Sequence, residues 1–561
     1  MNPKRAPFAF IAILLFAWCA VVFPAPAAGH RGVAVTVHPM ATDAALDALK
    51  KGGNAIDAAV AAGLTLGVVD GFNSGIGGGC FILIRRANGE IIAIDGREMA
   101  PAAAHRDMYL RDGKADPKLS QTGALAPGVP GALAAYEHAV RHYGKLPFKD
   151  ALLPGAKIAQ GGFRLDAGYY RRVEGVAKTL AQFPSSKKIF LQPDGKPIPQ
   201  GERMMQKDLG KTYRAIAEQG IAWFYEGPFA RETANWMRAN GGIMTEADFR
   251  NYQVKRREPL RTTYRGHEII GFPPPSSGGV HVAEILNIIE PFEVAKLRPG
   301  SADFIHLVTE AMKLAFADRA WWLGDPDFAP VPRGLIVKDY AKTLSAKIQM
   351  GKATPVPRHG TPPNADADLF GKHTTHFCAA DAEGNWVACT ATINTTFGSK
   401  VVVPGTGVVL NNEMDDFAAQ PGVANYFGLL GNEANAVAPG KRPLSSMSPT
   451  IVMKDGKPVF SAGAAGGPTI ISQTVLAVIH HIDFGMDPKA ALAQPRFHHQ
   501  WSPDELKIEN AVGKPVLQEL EMRGHKLNVM RDFGACQAMG RSGETFTGAH
   551  DPRLQGKAAV W

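Results

Sequence analysis

Thr374 combines a hydroxyl nucleophile with a place where the chain could be cut. The segment 355–371 is dominated by Pro, Gly and Asp without periodicity, which predicts an exposed, flexible loop. It ends just before HTTHF, residues 373–377, where the strand pattern begins. A threonine hydroxyl needs a base, and an N-terminal threonine carries one, because an α-amine has a pKa of about 7.7–8.0. Cleavage before Thr374 would therefore create a nucleophile, whereas an uncut Thr-Thr pair simply favours a strand.

Two further features could serve such a nucleophile. The run from Thr374 to Asn394 predicts two strands joined by a turn near Glu383, and this hairpin brings Thr392 close to Thr374. Gly466 and Gly467 follow a predicted strand, and without Cβ atoms they can turn both N–H groups toward one point. A tetrahedral oxyanion needs such donors. An isolated glycine pair would more commonly be only a turn.

The elements that must position these residues alternate between strands and helices. Asn88-Gly89 and Asp455-Gly456 each separate two apolar runs and predict hairpins. The Ala-rich run after Asn54 and the run after Ser301 predict capped helices. A chain of 561 residues with ordinary composition (45% hydrophobic, 20% charged) predicts several lobes or one large multilayer α/β unit.

The N-terminus predicts export. Lys4 and Arg5 precede an apolar run, and small residues follow up to Ala28, which is typical of a signal peptide over 1–28. The alternative, a membrane anchor, needs about 20 apolar residues, and this run is shorter. We therefore expect a secreted, periplasmic protein. The net charge of +9 is spread thinly, which argues against nucleic-acid binding.

The cysteines and histidines indicate no metal or cofactor. Spacings of the HExxH or CxxC type do not occur, and the adjacent histidine pairs carry diverging side chains. Cys378 and Cys389 flank the predicted hairpin turn and could face each other. A disulfide between them and two buried free thiols both remain open at this stage.

Motifs along nearly the whole chain carry a family resemblance. HTTHF and TINTTFG are followed by NNEMDDF, KRPLSSMSPTIV and AAGGPTII, and upstream lie GGNAIDAA, DGREMAP and PPPSSGG. In this order they closely resemble the γ-glutamyltranspeptidase family. The resemblance implies a four-layer αββα sandwich of the N-terminal-nucleophile hydrolase type, which two subunits from one precursor form jointly. It also implies cleavage of γ-glutamyl amides such as glutathione and its conjugates, with transfer to water, amino acids or peptides and no cofactor.

The resemblance assigns the catalytic residues. It implies autocatalytic cleavage between His373 and Thr374, giving a large subunit 29–373 and a small subunit 374–561. Thr374 then acts as nucleophile, Thr392 orients its amine and hydroxyl, and Gly466 and Gly467 form the oxyanion hole. His373 departs from the Asn or Gln expected at that position. Because the carbonyl of this residue is attacked and not its side chain, we expect cleavage to occur, and the rate of maturation is the property that His373 would change.

The resemblance also assigns the substrate-binding residues. The substrate carboxylate would be bound by Arg97, Ser445 and Ser446, and the substrate ammonium by Asn394, Glu413 and Asp416. The segment 421–437 corresponds to a lid loop. Phe427 stands where other members can carry a tyrosine, and our hypothesis is that a lid without this hydroxyl opens more readily and changes the balance of hydrolysis against transfer.

Two alternatives remain. A β-lactam acylase or a poly-γ-glutamate-processing enzyme would share the fold, but such enzymes should alter the ammonium-binding acidic residues, and Asp416 is intact here. A catalytically silent periplasmic binding protein that never matures is the alternative from another class.

Overall fold

The computed structural model describes residues 27–365 and 377–561. The strands are β1 (Ala27–Gly29), β2 (Gly32–Thr36), β3 (Gly79–Arg85), β4 (Ile91–Gly96), β5 (Leu110–Arg111), β6 (Lys114–Ala115), β7 (Phe163–Arg164), β8 (Arg203–Met204), β9 (Lys255–Arg257), β10 (Leu260–Tyr264), β11 (His267–Gly271), β12 (Cys378–Asp381), β13 (Trp386–Thr392), β14 (Thr450–Lys454), β15 (Lys457–Ala465), β16 (Phe497–His498), β17 (Leu506–Glu509), β18 (Leu527–Met530), β19 (Ala535–Ser542), β20 (Thr545–His550) and β21 (Lys557–Val560).

The helices are α1 (Pro39–Lys50), α2 (Ala55–Val69), α3 (Pro117–Gln121), α4 (Ala132–Tyr143), α5 (Phe148–Gly161), α6 (Ala167–Leu180), α7 (Pro184–Phe190), α8 (Lys207–Gln219), α9 (Ala222–Tyr225), α10 (Pro228–Ala239), α11 (Glu246–Arg250), α12 (Ser277–Ile289), α13 (Ala302–Trp322), α14 (Lys338–Ser345), α15 (Thr469–Ile482), α16 (Pro488–Ala493) and α17 (Lys514–Met522). Short 3-10 turns cover Val294–Lys296, Arg333–Ile336, Glu413–Asp416, Glu433–Asn435 and Asn510–Val512. No helix in the described ranges is long and apolar enough to cross a membrane.

Two seven-stranded sheets form the centre of the molecule. The first has the order β1-β20-β19-β15-β14-β11-β10, and the second has the order β21-β2-β12-β13-β3-β4-β9. All three predicted hairpins are confirmed as β3–β4, β12–β13 and β14–β15. In the last of these, Asp455 and Gly456 both have positive φ, 50° and 74°, as a type I′ turn requires.

The sheets pack face to face between two helix layers. α2 and α4 pack on the second sheet, α12 and α15 pack on the first, and β13 packs against β15 between the sheets. The side chains of β3 alternate accordingly: Phe81 and Leu83 enter the core that contains the first sheet, and Ile82 and Ile84 enter the core shared with α2. The predicted four-layer αββα sandwich is confirmed.

α2 begins where the sequence predicts. The Asn54 side chain accepts hydrogen bonds from the N–H groups of Ile56 (2.9 Å) and Asp57 (3.2 Å), and Asp57 accepts one from the Asn54 N–H, which completes a capping box. α2 is buried along its whole length. A Cβ on Gly63 would collide with the Phe377 ring, so this glycine lets the helix approach the residue that leads into β12.

The two hairpin cysteines lie on opposite faces of their sheet. Cys378 belongs to the core between the sheets, whereas Cys389 belongs to the core on the α2 side. The register pairs Cys378 with Ala388, and a one-residue offset reverses the face. The expectation that these cysteines could face each other is therefore wrong. Both thiols are free and buried, as are those of Cys80 and Cys536.

Both sheets contain strands from before and after the gap at 366–376. β2 lies between β21 and β12, and β3 lies beside β13. In the other sheet β1, which covers the predicted signal-cleavage position near Ala28, pairs with β20. The parts of the chain before and after the gap therefore build one common body.

Candidate active site

The predicted nucleophile and the residue before it, Thr374 and His373, lie outside the described residues. The described chain resumes at Phe377, whose carbonyl accepts a hydrogen bond from the Cys389 N–H. β12 then pairs with β13, and β13 ends at Thr392. The predicted orienting residue thus stands at the end of a well-defined central strand.

A cleft of about 1090 Å³ opens at this end of β13. Its walls bring together nine residues that the sequence predicted for the site, which are Thr392, Asn394, Glu413, Asp416, Phe427, Ser445, Ser446, Gly466 and Gly467. Arg97 is fully buried and lies behind this wall. The residues come from distant parts of the chain, so only the fold assembles them.

Thr392 and Asn394 form a tight turn at the edge of the cleft. The Asn394 N–H donates to Thr392 Oγ1 at 2.7 Å, and Asn394 holds a left-handed φ of 73°. The Asn394 side chain donates to the carbonyl of Asn412 at 3.0 Å. Because the Thr392 hydroxyl accepts in this contact, its own proton stays available for a further partner.

Gly466 and Gly467 link the end of β15 to α15. Their φ angles are 132° and 58°, values that favour glycine, and Thr469 Oγ1 donates to the Gly466 carbonyl at 2.8 Å. Neither glycine N–H donates to an acceptor within the described part of the chain. Together with the positive end of α15, these donors make the turn suitable for binding a negatively charged oxygen.

Arg97 is held by two of the predicted ammonium ligands. Its Nη1 donates to Glu413 Oε1 and its Nη2 to Asp416 Oδ2 (2.7 Å), while Nε donates to the Pro443 carbonyl (3.1 Å). Sequence reasoning expected the arginine fork to face the substrate carboxylate directly. The structure instead places Glu413 and Asp416 in the wall with Arg97 behind them, because a guanidinium buried this deeply needs anionic partners.

This cluster controls the charge of the pocket. Burial alone would lower the pKa of Arg97, but Glu413, Asp416 and Glu98 outweigh that effect and raise it. Burial also raises the pKa of Glu413 well above its ordinary value and that of Glu98 to about 7. One cation is thus shared by three crowded carboxyl groups, and protons are retained on some of them near neutral pH.

Ser446, one of the two predicted serines, contacts a second buried cation that sequence reasoning missed. Arg319, on α13, donates to Ser446 Oγ at 3.2 Å and to Ser277 Oγ at 3.0 Å. Burial lowers the pKa of Arg319 to about 10. In the sequence it lies in the motif ADRAWWLGDPDF, where it is the one arginine.

The predicted lid residue Phe427 packs on the glycine turn. A Cβ built on Gly467 would lie 2.5 Å from Phe427 Cδ1. The segment is fixed by hydrogen bonds from Gln500 Nε2 to the Phe427 carbonyl (3.2 Å) and from the Tyr426 N–H to Asp415 (3.0 Å). Tyr426, which the sequence analysis passed over, also lines the cleft and is 56% exposed, so a lid hydroxyl is present one residue earlier.

One group of side chains in the described ranges has the donor types of a metal site. Donor atoms of His306, Glu310 and His525 lie within 4.8 Å of one another. They already have protein partners: His306 Nδ1 bonds His525 Nε2 at 2.8 Å, and Glu310 binds the Lys313 ammonium at 2.8 Å. An ammonium on the carboxylate competes with a cation, so we assign this group to holding α13 against the chain after α17.

The stacked sheets, the glycine turn and the acidic wall around the end of β13 define an N-terminal-nucleophile hydrolase fold. The sequence profile described as Gamma-glutamyltranspeptidase matches residues 41–561, and the chain belongs to this family.

Curated relatives with related names are similar to this chain over nearly its full length. The "Glutathione hydrolase proenzyme" of Escherichia coli (strain K12) is 43% identical over 94% of this chain and 91% of its own. An "Acylase ACY 1 proenzyme" from Pseudomonas sp. (strain SE83) is 39% identical over 95% and 94%.

Two solved structures with names of the same two kinds are similar to this chain. Cephalosporin acylase from Bacillus halodurans superimposes with a TM-score of 0.87 at 28% identity, covering 100% of this chain and 99% of its own. The γ-glutamyltranspeptidase of Helicobacter pylori is 40% identical with a TM-score of 0.57, covering 58% of this chain and 94% of the solved chain.

Proposed function

We propose that this protein is a self-processing enzyme that takes γ-glutamyl groups from glutathione and related amides and passes them to water, amino acids or peptides. The observation that carries the proposal is the shared cleft. Its acidic wall of Glu413 and Asp416 suits an ammonium, and its glycine turn suits an oxyanion. A γ-glutamyl donor presents an ammonium at one end and, during reaction, an oxyanion at the other.

The β12–β13 register supports Thr374 as the nucleophile. The Phe377 carbonyl accepts a hydrogen bond from the Cys389 N–H. In the sequence, Phe377 follows Thr374 by three residues and Thr392 follows Cys389 by three. Once Thr374 has a free amine, the Thr392 hydroxyl can donate its proton toward it while accepting from Asn394.

Maturation would require the peptide bond between His373 and Thr374 to break. In that step the Thr374 hydroxyl attacks the His373 carbonyl, the peptide nitrogen becomes the new α-amine, and water hydrolyses the ester. The two products are the large subunit 29–373 and the small subunit 374–561. The solved H. pylori chain matches only 58% of this chain while nearly complete itself, which supports a division into two chains.

The acyl transfer then follows from the groups around the cleft. The Thr374 hydroxyl attacks the γ-carbonyl carbon as its proton passes to the α-amine, and the Gly466 and Gly467 N–H groups stabilise the oxyanion. The leaving amine takes the proton and departs, leaving a γ-glutamyl ester. Water or an acceptor amine attacks that ester and regenerates the hydroxyl. We assign the substrate ammonium to Asp416, Glu413 and Asn394, and the substrate carboxylate to Ser445, Ser446 and the Arg97 cluster behind them.

A denaturing gel with a turnover assay tests the proposal. The purified protein should give two chains of about 37 and about 20 kDa, in proportion to their shares of the 60.0 kDa precursor. It should release p-nitroaniline from a γ-glutamyl anilide. Thr374→Ala should give a single uncleaved, inactive chain. A parent protein that stays uncut and releases no p-nitroaniline would contradict the proposal and favour the silent binding protein.

An acylase is the second candidate, favoured by the overlay with a cephalosporin acylase across the entire chain. The two candidates differ in the need for an α-ammonium, since a glutaryl amide matches the γ-glutamyl group without its amine. Turnover of γ-glutamyl and glutaryl p-nitroanilides should differ strongly in favour of the former. Faster turnover of the glutaryl compound would assign the protein to the acylases.

We further propose that the mature enzyme acts in the periplasm after removal of residues 1–28. The support is the basic and apolar pattern of the N-terminal sequence, most of which lies before the described residues. Mass spectrometry of protein recovered from a periplasmic fraction should find an N-terminus close to Gly29.

A further inference from the structure

The cleft has a basic wall opposite in charge to its acidic one. Three arginines line it: Arg171 and Arg172 on α6, and Arg553 near the C-terminus. Arg553 is committed to Glu509 (2.6 Å) and to the Leu492 and Gln494 carbonyls (2.9 and 3.0 Å). Arg171 and Arg172 are exposed and form no hydrogen bond or salt bridge within the described part of the chain. Two guanidinium groups therefore face the cleft with their donors unused.

Packing places Arg172 near the catalytic end of β13. Its guanidinium lies 5.9 Å from the centre of the Phe72 ring, and that ring also contacts Tyr169 of α6 edge-on at 4.9 Å. The next residue, Asn73, accepts a hydrogen bond from the Ile393 N–H at 3.0 Å. One aromatic ring and one loop residue thus separate Arg172 from the residue that follows Thr392.

The acidic residues of the same wall are already occupied. Asp166 caps α6 by accepting from the Tyr169 N–H at 2.7 Å, and Asp532 lies 3.5 Å from Arg531. Asp70 accepts from Asn73, and burial raises its pKa to about 7. None of them forms a hydrogen bond or salt bridge with Arg171 or Arg172 within the described residues, and the charge of Arg172 acts on Asp70 only by lowering its pKa against the larger effect of burial. The guanidinium donors therefore stay available for an external anion.

We infer that Arg172, with Arg171 beside it, binds the free carboxylate of the dipeptide that leaves a γ-glutamyl donor or enters as acceptor. This inference rests on the proposed function and adds a specificity to it. A cysteinylglycine-like leaving group extends about 7 Å beyond the scissile amide and ends in a carboxylate. Arginine recognises carboxylates with paired N–H donors, and Arg172 lines the same cleft as Thr392 and the glycine turn. Such a site discriminates amines that carry a carboxylate from amines that lack one.

Paired donors test the inference. Glutathione carries the carboxylate in its leaving group, whereas γ-glutamyl-p-nitroanilide does not. Arg172→Gln should lower kcat/KM for glutathione about tenfold, mainly through KM, and leave kcat/KM for the anilide within about twofold. Arg171→Gln should act in the same direction but less strongly. Lys178→Gln, an exposed cation farther along α6, is the control and should change neither.

Binding of acceptor dipeptides tests the inference independently of turnover. Ligand-observed NMR titration should show tighter binding of glycylglycine than of glycylglycine amide to the parent, and no such preference in the Arg171→Gln/Arg172→Gln variant. An equal loss of kcat/KM for both donors, or no loss for either, would overturn the inference. A parent that turns over neither donor would refute the proposed function, and the titration would still decide whether the arginines select the carboxylate.

Discussion

The Phe427 ring rests on Gly467, so the lid and the predicted oxyanion hole form one packed unit. A methyl group on Gly467 would lie 2.5 Å from the Phe427 ring, and the backbone there has a φ of 58°. Phe427, the predicted lid residue, therefore also limits the positions that the Gly467 backbone and its N–H group can take. Changes to either residue should affect the reaction more than the stability of the fold.

Gly467→Ala should lower kcat about 10²-fold, because the added methyl displaces the lid ring or the N–H donor. Stopped assays with γ-glutamyl-p-nitroanilide measure it. Gly543→Ala is a matched control: Gly543 has the same φ of 58° but open space around it. Both variants carry the same left-handed strain of about 1–2 kcal/mol, and Gly467→Ala alone adds the collision with the Phe427 ring. Equal activity of the two would show that Gly467 has only a backbone role.

Phe427→Tyr should raise the ratio of transfer to hydrolysis. A lid hydroxyl that gains one hydrogen bond stabilises the closed state by about 0.5–1.5 kcal/mol, which corresponds to about two- to tenfold less access for water. The measurement compares hydrolysis and transfer to glycylglycine at fixed acceptor concentration. Tyr426→Phe, which removes the neighbouring exposed hydroxyl, serves as comparison. Identical ratios in Phe427→Tyr and the parent would refute the lid hypothesis.

Asp416→Asn and Glu413→Gln should separate the roles of the two acidic residues. Burial favours the protonated form of Glu413, so its neutral isostere should be tolerated, with a change in kcat/KM below about fivefold. Asp416→Asn removes a charged partner of both Arg97 and the substrate ammonium, and kcat/KM should fall about 10- to 100-fold. The comparison uses γ-glutamyl-p-nitroanilide at several pH values. Equal losses in the two variants would argue against this division.

Acid should weaken the contact between α13 and the chain after α17. Burial and the neighbouring His306 and Lys313 lower the pKa of His525 to about 3, whereas the unfolded chain has a value of about 6.5. The unfolded state therefore binds the extra proton, and this contribution to stability is present above pH 6.5 and is lost as the pH falls toward 3.

Thermal unfolding of the uncleaved Thr374→Ala chain at pH 7 and pH 5 checks this point. In the His525→Gln background the loss of Tm between the two pH values should be smaller. His105→Gln, at an exposed histidine, should keep the full loss. A loss that is unchanged in His525→Gln would place the acid sensitivity elsewhere.

Local features were predictable from the sequence to the extent that short-range rules determine them. The hairpins at Asn88-Gly89 and Asp455-Gly456 follow from turn chemistry, and the start of α2 follows from the Asn54 cap. The faces of Cys378 and Cys389 were not predictable, because they depend on a one-residue register between the paired strands.

The sequence predicted which residues form the site but not how they are arranged in space. The nine residues in the cleft wall were all found through the family motifs, yet the burial of Arg97 behind Glu413 and Asp416 depends on how three distant segments pack. Arg319 was missed because its contacts with Ser277 and Ser446 join distant segments of the chain. Tyr426 was missed because its place in the cleft depends on how the segment 421–437 packs against Asp415. Tertiary contacts, which carry no local signature, account for both.

Strands from before and after the gap at 366–376 pair with each other in both sheets, and this pairing constrains how the protein is made. β2 hydrogen-bonds to β21 on one side and β12 on the other, so neither half of the chain can complete this sheet alone. A cut after residue 373 would leave two chains whose strands are hydrogen-bonded to each other in the same sheets. If the two halves were synthesised separately, each would expose unpaired strand edges. If the chain is cut there as proposed, folding must come before scission, because both products contribute strands to the shared sheets.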